Sequence, residues 1–479
     1  MHSIAAASLA IDDDTDGEVH RIRSLLDEGL RRARRQDRSV LVSMVRSVPS
    51  TDPLRWLEQG AQTSDESHLW SRPNDGYALA GVGAAWSLSV RGPRRFADAA
   101  AAWRERCSDA LIDNSTDVVG TGPVLMGGFA FDPEQRSAAL WRGYPDGQLV
   151  LPQTMLTSAD GAAWLTTNAV VQPGDDLDEL TQAVTPRYPL SAGDSTVTVP
   201  DSQPLSLEDA VPAAAWKATV ETLVRDIARG EVQKVVLARM LQVSGERPFN
   251  QATALRWLST LYPECFVFAV AREGRCFLGA SPERLARLHH GLLSTSCLAG
   301  SIARGATAET DRQLEQALLA SDKERAEHEF VVRAMHDALT QMSVATEPFG
   351  PPTVMKMANV QHLFTAITGR AVGGCTILDL VERLHPTPAV GGYPREAALQ
   401  AIRTHESLDR GWYAGPVGWL DARGDGEFAV AIRSALLDEG QAALFAGCGI
   451  VAGSDPEREY AESCLKLRPI LSALGGATL

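Results

Sequence analysis

The sequence contains few cysteines, no excess of basic residues and no long apolar run. No apolar run approaches the roughly 18 residues that a membrane-spanning helix needs, so we expect no membrane span. The seven cysteines are scattered and form no CxxC pair, which favours reduced thiols in the cytoplasm. The net charge of −15 argues against non-specific nucleic-acid binding, which depends on basic residues. Residues 1–17 have no basic region before their short apolar stretch, so we expect no secretory signal.

Several common cofactor and metal motifs are also missing. There is no GxxxxGK[ST] phosphate-binding loop, and EHEF at 327–330 is not the HExxH motif of zinc proteases. The stretch GCGIVAG at 447–453 imitates a dinucleotide-binding fingerprint, but only residues 454–479 follow it. That remainder is too short for a further βαβ unit with its acidic ribose ligand. We therefore expect neither a nucleotide-binding loop nor a zinc protease site.

Strand-like and helical segments occur in separate runs along the 479 residues. Strand-like runs dominate residues 39–172, and short alternating strands with tight turns follow at 265–296. This grouping favours an α+β fold with antiparallel sheets over a repeating βαβ chain. The proline-containing segment 175–208 is predicted as a connection. Helices are predicted at 21–35, 95–111, 213–228 and about 309–340.

An unusual group of acids follows the apolar run near the C-terminus. Ser454 and Glu457 have the spacing of a capping box, and Pro456 suits a first helical turn. On the predicted helix, Glu459, Glu462 and Lys466 fall at i, i+3 and i+7, on one face. The simple interpretation is a solvated helix with a Glu462–Lys466 ion pair.

A second helix start repeats the same pattern and offers another interpretation. Ser321 and Glu324 again have capping-box spacing, and Glu324 and Glu327 are again three residues apart. Four converging carboxylates would repel one another unless a cation lay among them. Mg²⁺ prefers such oxygen ligands together with waters and an anionic substrate. Two unrelated amphipathic helices remain the alternative.

Three further residues are chemically unusual for their positions. Lys234 lies in a strand among apolar neighbours, where desolvation would favour a neutral, basic amine; the alternative is an edge-strand lysine that deters aggregation. Glu283 follows a strand directly, where a poorly solvated carboxyl could act as a general acid; the alternative is a turn glutamate facing water. Arg433 is predicted within one strand at 427–437, beside small residues that leave room for a carboxylate ligand; the alternative is a buried structural ion pair.

In sequence order, these and neighbouring segments resemble the chorismate-utilising enzymes, and among them the isochorismate synthases most closely. The N-terminal part matches weakly, and GGFAFD at 127–132 is its best piece. The matching stretches cover roughly residues 210–475 and are KVVLAR, GASPERL, CLAGSIARG, KERAEHEFVV, NVQHLFTAITG, LHPTPAVGG, DRGWYAGPVGW, GDGEFAVAIRSALL and AGCGIVAGSDPEREYAESCLK.

The resemblance implies a fold. It is a large α+β domain in which antiparallel sheets pack face to face and helices surround them. Residues 1–208 would contribute strands and helices to this fold, and residues 209–479 would form the chorismate-binding catalytic region.

The resemblance also implies a reaction, in which chorismate loses its C4 hydroxyl while water adds at C2, with Mg²⁺ required. Lys234 would be the base that activates water, and Glu283 the acid that protonates the departing hydroxyl. Glu327 and Glu462 would be direct Mg²⁺ ligands, with Glu324 and Glu459 near the metal and its waters. The substrate-binding residues would be Arg433, Tyr413 and Lys466 as carboxylate anchors, with Gly300, Ser301, His362, Ala389, Ile432 and Gly449 lining the pocket.

Lys234 separates this chain from some members of that family. Anthranilate synthases have glutamine at this position and need an amidotransferase partner, so Lys234 and the loop LHPTPAVGG at 384–392 favour isochorismate formation without such a subunit. Salicylate synthases also keep the lysine and go on to expel pyruvate, and a non-catalytic chorismate-binding protein is a second alternative. The family also implies a monomer. The pathway served, whether menaquinone, siderophore or salicylate synthesis, stays open.

Overall fold

The computed structural model describes residues 15–134, 139–184, 199–342, 344–347, 349–357 and 360–476. Within these residues the helices are α1 (Thr15–Gln36), α2 (Pro53–Gly60), α3 (Arg95–Cys107), α4 (Leu177–Val184), α5 (Ala213–Ala228), α6 (Gln251–Leu261), α7 (Ala308–Ala320), α8 (Asp322–Gln341), α9 (Ile377–Leu384), α10 (Arg395–His405) and α11 (Pro456–Ala473). None of these helices combines the length and the apolar character that crossing a bilayer takes.

The strands occur along the whole described chain. They are β1 (Val40–Val48), β2 (Ser67–Arg72), β3 (Tyr77–Val82), β4 (Trp86–Val90), β5 (Leu111–Asp113), β6 (Val124–Phe129), β7 (Gly147–Leu151), β8 (Thr154–Ala159), β9 (Ala162–Val171), β10 (Leu205–Asp209), β11 (Lys234–Gly245), β12 (Phe266–Arg272), β13 (Arg275–Ser281), β14 (Arg284–His289), β15 (Leu292–Ala303), β16 (Ala345–Thr346), β17 (Thr353–Lys356), β18 (Val360–Arg370), β19 (Gly392–Tyr393), β20 (Pro416–Asp421), β21 (Gly426–Val430), β22 (Ser434–Asp438) and β23 (Gln441–Ile450).

These strands form two large sheets, which are antiparallel except where β1 runs parallel to β5. In the described part of the chain, the larger sheet has 13 strands in the order β10-β11-β23-β22-β13-β12-β2-β3-β8-β9-β1-β5, and β19 also pairs with β11. The smaller sheet has 10 strands in the order β16-β18-β15-β14-β21-β20-β6-β7-β4, and β17 also pairs with β18. The predicted α+β class with antiparallel sheets is confirmed.

The two sheets pack face to face over one apolar core. This core contains Leu79 and Phe268 of the larger sheet together with Leu125 and Phe428 of the smaller sheet, all fully buried. A second core lies on the other face of the larger sheet, where α2, α6 and α11 cover it. Successive side chains of a strand point to opposite faces of its sheet. The smaller sheet covers one face of the larger sheet, so helices must bury the apolar side chains of the other face.

Strands from both sides of residue 208 share each sheet. β2 pairs with β12 in the larger sheet, and β6 pairs with β20 in the smaller sheet. The prediction of 175–208 as a connection is wrong in part, because α4 and β10 lie within it; residues 185–198 lie outside the described residues. The helix predicted at 95–111 ends at Cys107, because Leu111 begins β5 and pairs with β1.

Gly127 of β6 provides a test of the close packing between β6 and β7. A Cβ atom there would lie 2.0 Å from the backbone oxygen of Gln148, and the residue has a φ of +153°. Gly161, in the turn between β8 and β9, has a φ of +78° but nothing within 4 Å of such a Cβ. We expect Gly127→Ala to lower the free energy of unfolding by about 3 kcal/mol or more, and Gly161→Ala by about 1 kcal/mol. Urea unfolding measures both, and equal losses would contradict the packing described.

Candidate active site

Two of the places where the chain crosses between the two sheets lie next to each other. Glu283 lies in the first crossing, from β13 of the larger sheet to β14 of the smaller one. Residues 431–433 form the second crossing, from β21 back to β22 of the larger sheet. Ser281 Oγ donates to the backbone oxygen of Val430 at 2.6 Å, and the Val430 N–H donates to the backbone oxygen of Glu283 at 3.0 Å. The two crossings therefore hold each other in place.

The prediction of one continuous strand at 427–437 is wrong. β21 ends at Val430 and β22 begins at Ser434 in the other sheet, with Arg433 between them at a φ of 51°. The residues on either side of Arg433 do form strands, as their pattern indicates. The alternation of side chains is the same whether or not the chain changes sheets between them, so the sequence does not reveal the change. The change of direction places Arg433 at the junction rather than on a strand face.

One pocket lies beside the crossings. It is formed by the start of β11, the end of β23, the second half of β15, the start of β18, the connection after α9, and the first turns of α8 and α11. All fifteen residues that the sequence analysis proposed line this pocket. The structure thus brings together residues from 234 to 466, and all of them lie within 209–479.

Glu283 is a carboxyl group of the pocket whose pKa is shifted by burial. Its side chain is buried, so the water-facing alternative does not hold. Burial raises the pKa of Glu283 to about 7, against the opposing effects of a hydrogen bond from Thr387 and the charges of Lys234 and Lys466. Thr387 Oγ1 donates to Glu283 Oε1 at 3.3 Å. A carboxyl group with this pKa carries its proton in a large fraction of molecules near neutral pH.

Lys234 has a carboxylate partner that the sequence did not reveal. It is 8% exposed, and its Nζ donates to Glu327 Oε1 at 2.7 Å. At this end β11 pairs with β19 on one side and β23 on the other, so the edge-strand alternative does not hold. The strand neighbours Val232 and Val236 are apolar and buried, as predicted, but α8 also brings Glu327 over the end of the strand.

Arg433 is a buried cation without a salt-bridging carboxylate among the described residues. It is 7% exposed, and its guanidinium contacts Met357 Sδ at 3.4 Å and His362 Nε2 at 3.1 Å. Arg433 therefore does not form the buried structural ion pair that was the alternative. A buried charge is costly unless it is paired, and a guanidinium binds carboxylates in a two-pronged manner. This position suits an anionic ligand.

The contact between Arg433 and His362 determines the protonation of the histidine. A guanidinium only donates hydrogen bonds, so His362 Nε2 accepts and Nδ1 carries the ring proton. Nδ1 lies 2.8 Å from Ser301 Oγ and therefore donates to it. Burial and the charges of Arg433 and Lys466 lower the pKa of His362 well below its usual value, which agrees with a neutral ring. The Ser301 hydroxyl hydrogen is then left for another acceptor.

Lys466 and Tyr413 both lie against Gly447 of β23. Lys466 Nζ lies 2.7 Å from Glu462 Oε1 and donates to the backbone oxygen of Gly447 at 2.9 Å. Burial alone would lower the pKa of Lys466, but Glu462 and other neighbours raise it above its ordinary value. The Tyr413 ring stacks on Phe445 with centroids 5.1 Å apart, and burial raises the pKa of its phenol. Both groups thus present protons for hydrogen bonding.

The four glutamates of the pocket come from two helix starts. Glu324 Oε2 accepts from the Ser301 N–H at 3.2 Å, while Glu327 and Glu462 contact Lys234 and Lys466 as described above. The ammonium groups of Lys234 and Lys466 are therefore cations that lie among these carboxylates and offset part of their repulsion. Oxygens of Glu459 and Glu462 also lie within 4.8 Å of each other and of the Cys448 sulfur. Carboxylate oxygens are ligands that Mg²⁺ prefers, so the donor set fits that ion.

The start of α11 differs by one residue from the prediction. Asp455, not Ser454, caps the helix, and its side chain accepts from the Arg458 N–H at 3.0 Å. Aspartate caps as well as serine does, and Pro456 in the next position suits the first turn. Glu457, predicted to belong to the capping box, instead pairs with Lys217 at 2.6 Å. At α8 the predicted cap is confirmed, because Ser321 accepts from the Glu324 N–H at 3.4 Å.

Two residues that support the site, Thr387 and Arg239, were not predicted from the sequence. Thr387 contacts Glu283 and lies in the loop LHPTPAVGG, whose prolines and glycines mark a rigid segment without naming a partner. Arg239 lies in the stretch KVVLAR, where no spacing indicates its contacts. It donates to Ser463 Oγ at 2.8 Å and to the Tyr460 hydroxyl at 2.9 Å, and so ties α11 to β11.

The raised pKa of Glu283 predicts a pH dependence of stability. Its ordinary value is 4.5 and its value in the fold is about 7, so the folded state binds the proton more tightly than the unfolded state does. The resulting stability is fully present below about pH 4.5 and is lost as the pH rises to about 7 and beyond. In total the loss is about 3 kcal/mol.

Glu283→Gln removes this titration and keeps the side chain's size. We expect wild-type stability, measured relative to Glu283→Gln by urea unfolding, to fall by about 3 kcal/mol between pH 4.5 and pH 8. Taking the difference between the two proteins cancels the other carboxylates. Parallel pH profiles of the two proteins would show that the Glu283 pKa is not raised.

Comparison with known proteins agrees with the geometry of this pocket. The family model described as "Chorismate binding enzyme" matches residues 28–475. The chain is 37% identical over 460 residues to the isochorismate synthase MenF of Bacillus subtilis, covering 93% of this chain and 96% of that protein. It is 38% identical over 469 residues to the salicylate biosynthesis isochorismate synthase of Pseudomonas aeruginosa, covering 96% of each.

A solved structure extends the likeness to the fold. The structure of MenF, the menaquinone-specific isochorismate synthase from Escherichia coli, superposes with a TM-score of 0.74 at 27% identity and covers 95% of this chain and 99% of that one. The matched residues include the whole pocket, from Lys234 to Lys466. The chain belongs to the family of chorismate-binding enzymes.

Proposed function

We propose that this protein is an isochorismate synthase, which adds water at C2 of chorismate and expels the C4 hydroxyl to give isochorismate. The observation that carries this proposal is the meeting of Lys234, Glu283 and Arg433 in one pocket. A basic group, a carboxyl group with a raised pKa and a buried guanidinium are what water addition to an anionic substrate needs. The names of the two relatives that match almost the whole chain support the same reaction.

Glu283 and Lys234 divide the proton transfers between them. The departing hydroxyl must receive a proton, and Glu283 can supply one near neutral pH because burial raises its pKa to about 7. The attacking water must lose a proton, which Lys234, a residue of the same pocket, accepts as a neutral amine. The ammonium form that pairs with Glu327 must first give up a proton. A charge on Lys234 also lowers the pKa of Glu283.

The cations of the pocket account for the substrate's two carboxylates. Arg433 binds one carboxylate through its guanidinium, and the hydrogen-bond chain through His362 to Ser301 holds the guanidinium in orientation. Tyr413 and Lys466, which both lie against Gly447, donate further hydrogen bonds. The apolar lining residues, among them Ala389 and Ile432, exclude water from the ring.

Glu327 and Glu462 would hold Mg²⁺, with Glu324 and Glu459 close to it. When bound, the ion supplies a positive charge that attracts a substrate carboxylate. Lys234 and Lys466 pair with the same two glutamates, so these ammonium groups compete with the ion for them.

The protein acts without a partner subunit, and the two parts of its chain contribute differently to the pocket. Because water rather than ammonia is the nucleophile, the protein needs no amidotransferase subunit. Residues 209–479 supply all fifteen of the predicted pocket residues, and residues 1–208 supply strands that complete both sheets.

Product analysis tests the proposed function directly. The purified protein with Mg²⁺ should convert chorismate into isochorismate, separated by chromatography, without accumulating another early product. Salicylate with pyruvate as the main early product would instead indicate a salicylate synthase. An absence of turnover would indicate a chorismate-binding protein without activity.

Lys234→Gln tests the role of the base. We expect turnover to fall by at least about 100-fold, because a lost general base typically costs 10²–10⁴, while chorismate binding stays within a few-fold of wild type. Binding is measured by calorimetry at saturating Mg²⁺, with Lys217→Gln as a control outside the pocket. A loss of binding that matches the loss of turnover would make Lys234 an anchor.

Glu462→Gln tests the proposed metal ligands. Replacing a carboxylate by an amide removes a charged ligand, so the Mg²⁺ concentration for half-maximal activity should rise about tenfold or more. Glu457→Gln is the matched control, because Glu457 lies on the same helix and pairs with Lys217 outside the pocket. If Glu462→Gln keeps the wild-type metal dependence, Glu462 does not bind the metal.

A further inference from the structure

Two hairpin turns meet at an end of the smaller sheet that lies far from the pocket. His290 and Gly291, both with positive φ, form the turn from β14 to β15. Asp425 lies in the turn from β20 to β21, and Leu288 pairs with Gly426 across the neighbouring strands. The His290 N–H donates to Asp425 Oδ2 at 2.9 Å. This hydrogen bond fixes the two turns against each other.

His289, His290 and Asp425 form what we call the hairpin cluster. The Nδ1 atoms of His289 and His290 lie 3.7 Å and 3.9 Å from Asp425 Oδ2. One ligand atom from each of the three residues lies within 4.8 Å of the other two. Both distances to Oδ2 are too long for hydrogen bonds, so direct hydrogen bonding does not explain the convergence of the imidazoles on this carboxylate.

The spacing of the hairpin cluster suits a small transition-metal ion. Zn²⁺ binds imidazole nitrogen and carboxylate oxygen at about 2.0–2.2 Å, which places neighbouring ligand atoms about 3.3 Å apart in a tetrahedron. The separations of 3.7 Å and 3.9 Å from Asp425 Oδ2 need to shrink by roughly half an ångström. His289 and His290 are 31% and 59% exposed, so their side chains have room to rotate. Two imidazoles and one carboxylate are a set that zinc sites use.

The electrostatic surroundings favour a moderate affinity. The charges of Arg287 and Arg423 act at His289 and oppose a cation there, but Asp421 pairs with Arg423 at 2.9 Å and partly neutralises it. Imidazole ligands favour Zn²⁺, Ni²⁺ or Cu²⁺ over Mg²⁺. The hairpin cluster therefore differs in its donor chemistry from the glutamates of the pocket.

The hairpin cluster is also separate from the pocket in space. None of its residues lines the pocket. Leu292, next to the turn, and Ser301, in the pocket, stand nine residues apart along β15, which at about 3.3 Å per residue is about 30 Å. An ion in the hairpin cluster would therefore not contact the substrate.

We propose that the hairpin cluster binds one divalent transition-metal ion of the zinc type, through the two imidazoles and the Asp425 carboxylate. The ion joins the β14–β15 hairpin to the β20–β21 hairpin. Because it binds only the folded arrangement, it stabilises this end of the smaller sheet.

Zn²⁺ titration of the full-length chain without an affinity tag tests the proposal. Calorimetry is run in excess Mg²⁺, so that the pocket glutamates compete less for zinc. The wild type should bind one more equivalent of Zn²⁺ than His289→Gln/His290→Asn, and Asp425→Asn should bind that equivalent at least tenfold more weakly. Asparagine tolerates the left-handed backbone of residue 290, and thermal unfolding without metal verifies that each variant is folded.

His336→Ala is the matched control. His336 is a surface histidine whose Nδ1 also lies 3.7 Å from an aspartate, Asp337, but it has no second histidine. This variant should bind Zn²⁺ as the wild type does, and Zn²⁺ should raise its unfolding temperature equally. Zinc binding by the double variant in the same amount and within twofold of the wild-type affinity would overturn the proposal. An equal loss in His336→Ala would also overturn it.

Discussion

The site depends on two chain crossings that bond to each other. Strands normally stay in one sheet, because leaving it breaks a ladder of backbone hydrogen bonds that must then be satisfied elsewhere. Here Ser281, Val430 and Glu283 satisfy one another across the two crossings, and the Ala280 N–H donates to the backbone oxygen of Arg433 at 3.1 Å. The crossings place Glu283 and Arg433 between the sheets, where water is scarce. That scarcity raises the pKa of Glu283 and makes the charge of Arg433 costly without an anion.

The other buried charges around the site are compensated within the protein. Glu406 and Arg410 form a buried pair that also bonds to β11, where Glu406 accepts from the Ala238 N–H at 2.8 Å and Arg410 donates to the backbone oxygen of Val236 at 2.7 Å. This pair holds the strand that carries Lys234. Arg239 of the same strand holds α11, which carries Glu459 and Glu462 of the pocket. Against this background, Arg433 is a buried guanidinium that lines the pocket and has no salt-bridging carboxylate among the described residues, which suits the binding of an anionic ligand.

Much of the fold and the membership of the pocket could be predicted, because local patterns and a family resemblance both report on them. Helix spacing brought Glu459, Glu462 and Lys466 to one face, and the resemblance joined residues as distant as Lys234 and Lys466. Long-range partners were not predictable in the same way. The pairing of Lys234 with Glu327 depends on where α8 passes over β11, and no spacing within either segment encodes that. The break in the strand at Arg433 was missed because alternation is the same whether a strand continues in its own sheet or joins another.

The central claim is that Arg433, in one crossing, binds the substrate and that Glu283, in the other, transfers a proton. Comparing chorismate binding by Arg433→Gln and by Glu283→Gln tests this claim most directly. The measurement is the dissociation constant by calorimetry at saturating Mg²⁺, together with turnover. A lost buried ion pair with a ligand typically costs about 2–5 kcal/mol, so Arg433→Gln should weaken binding at least about 30-fold. Glu283→Gln should bind chorismate within a few-fold of wild type and lose turnover. Unweakened binding by Arg433→Gln would contradict the account, because the buried guanidinium would then have a role other than holding the substrate.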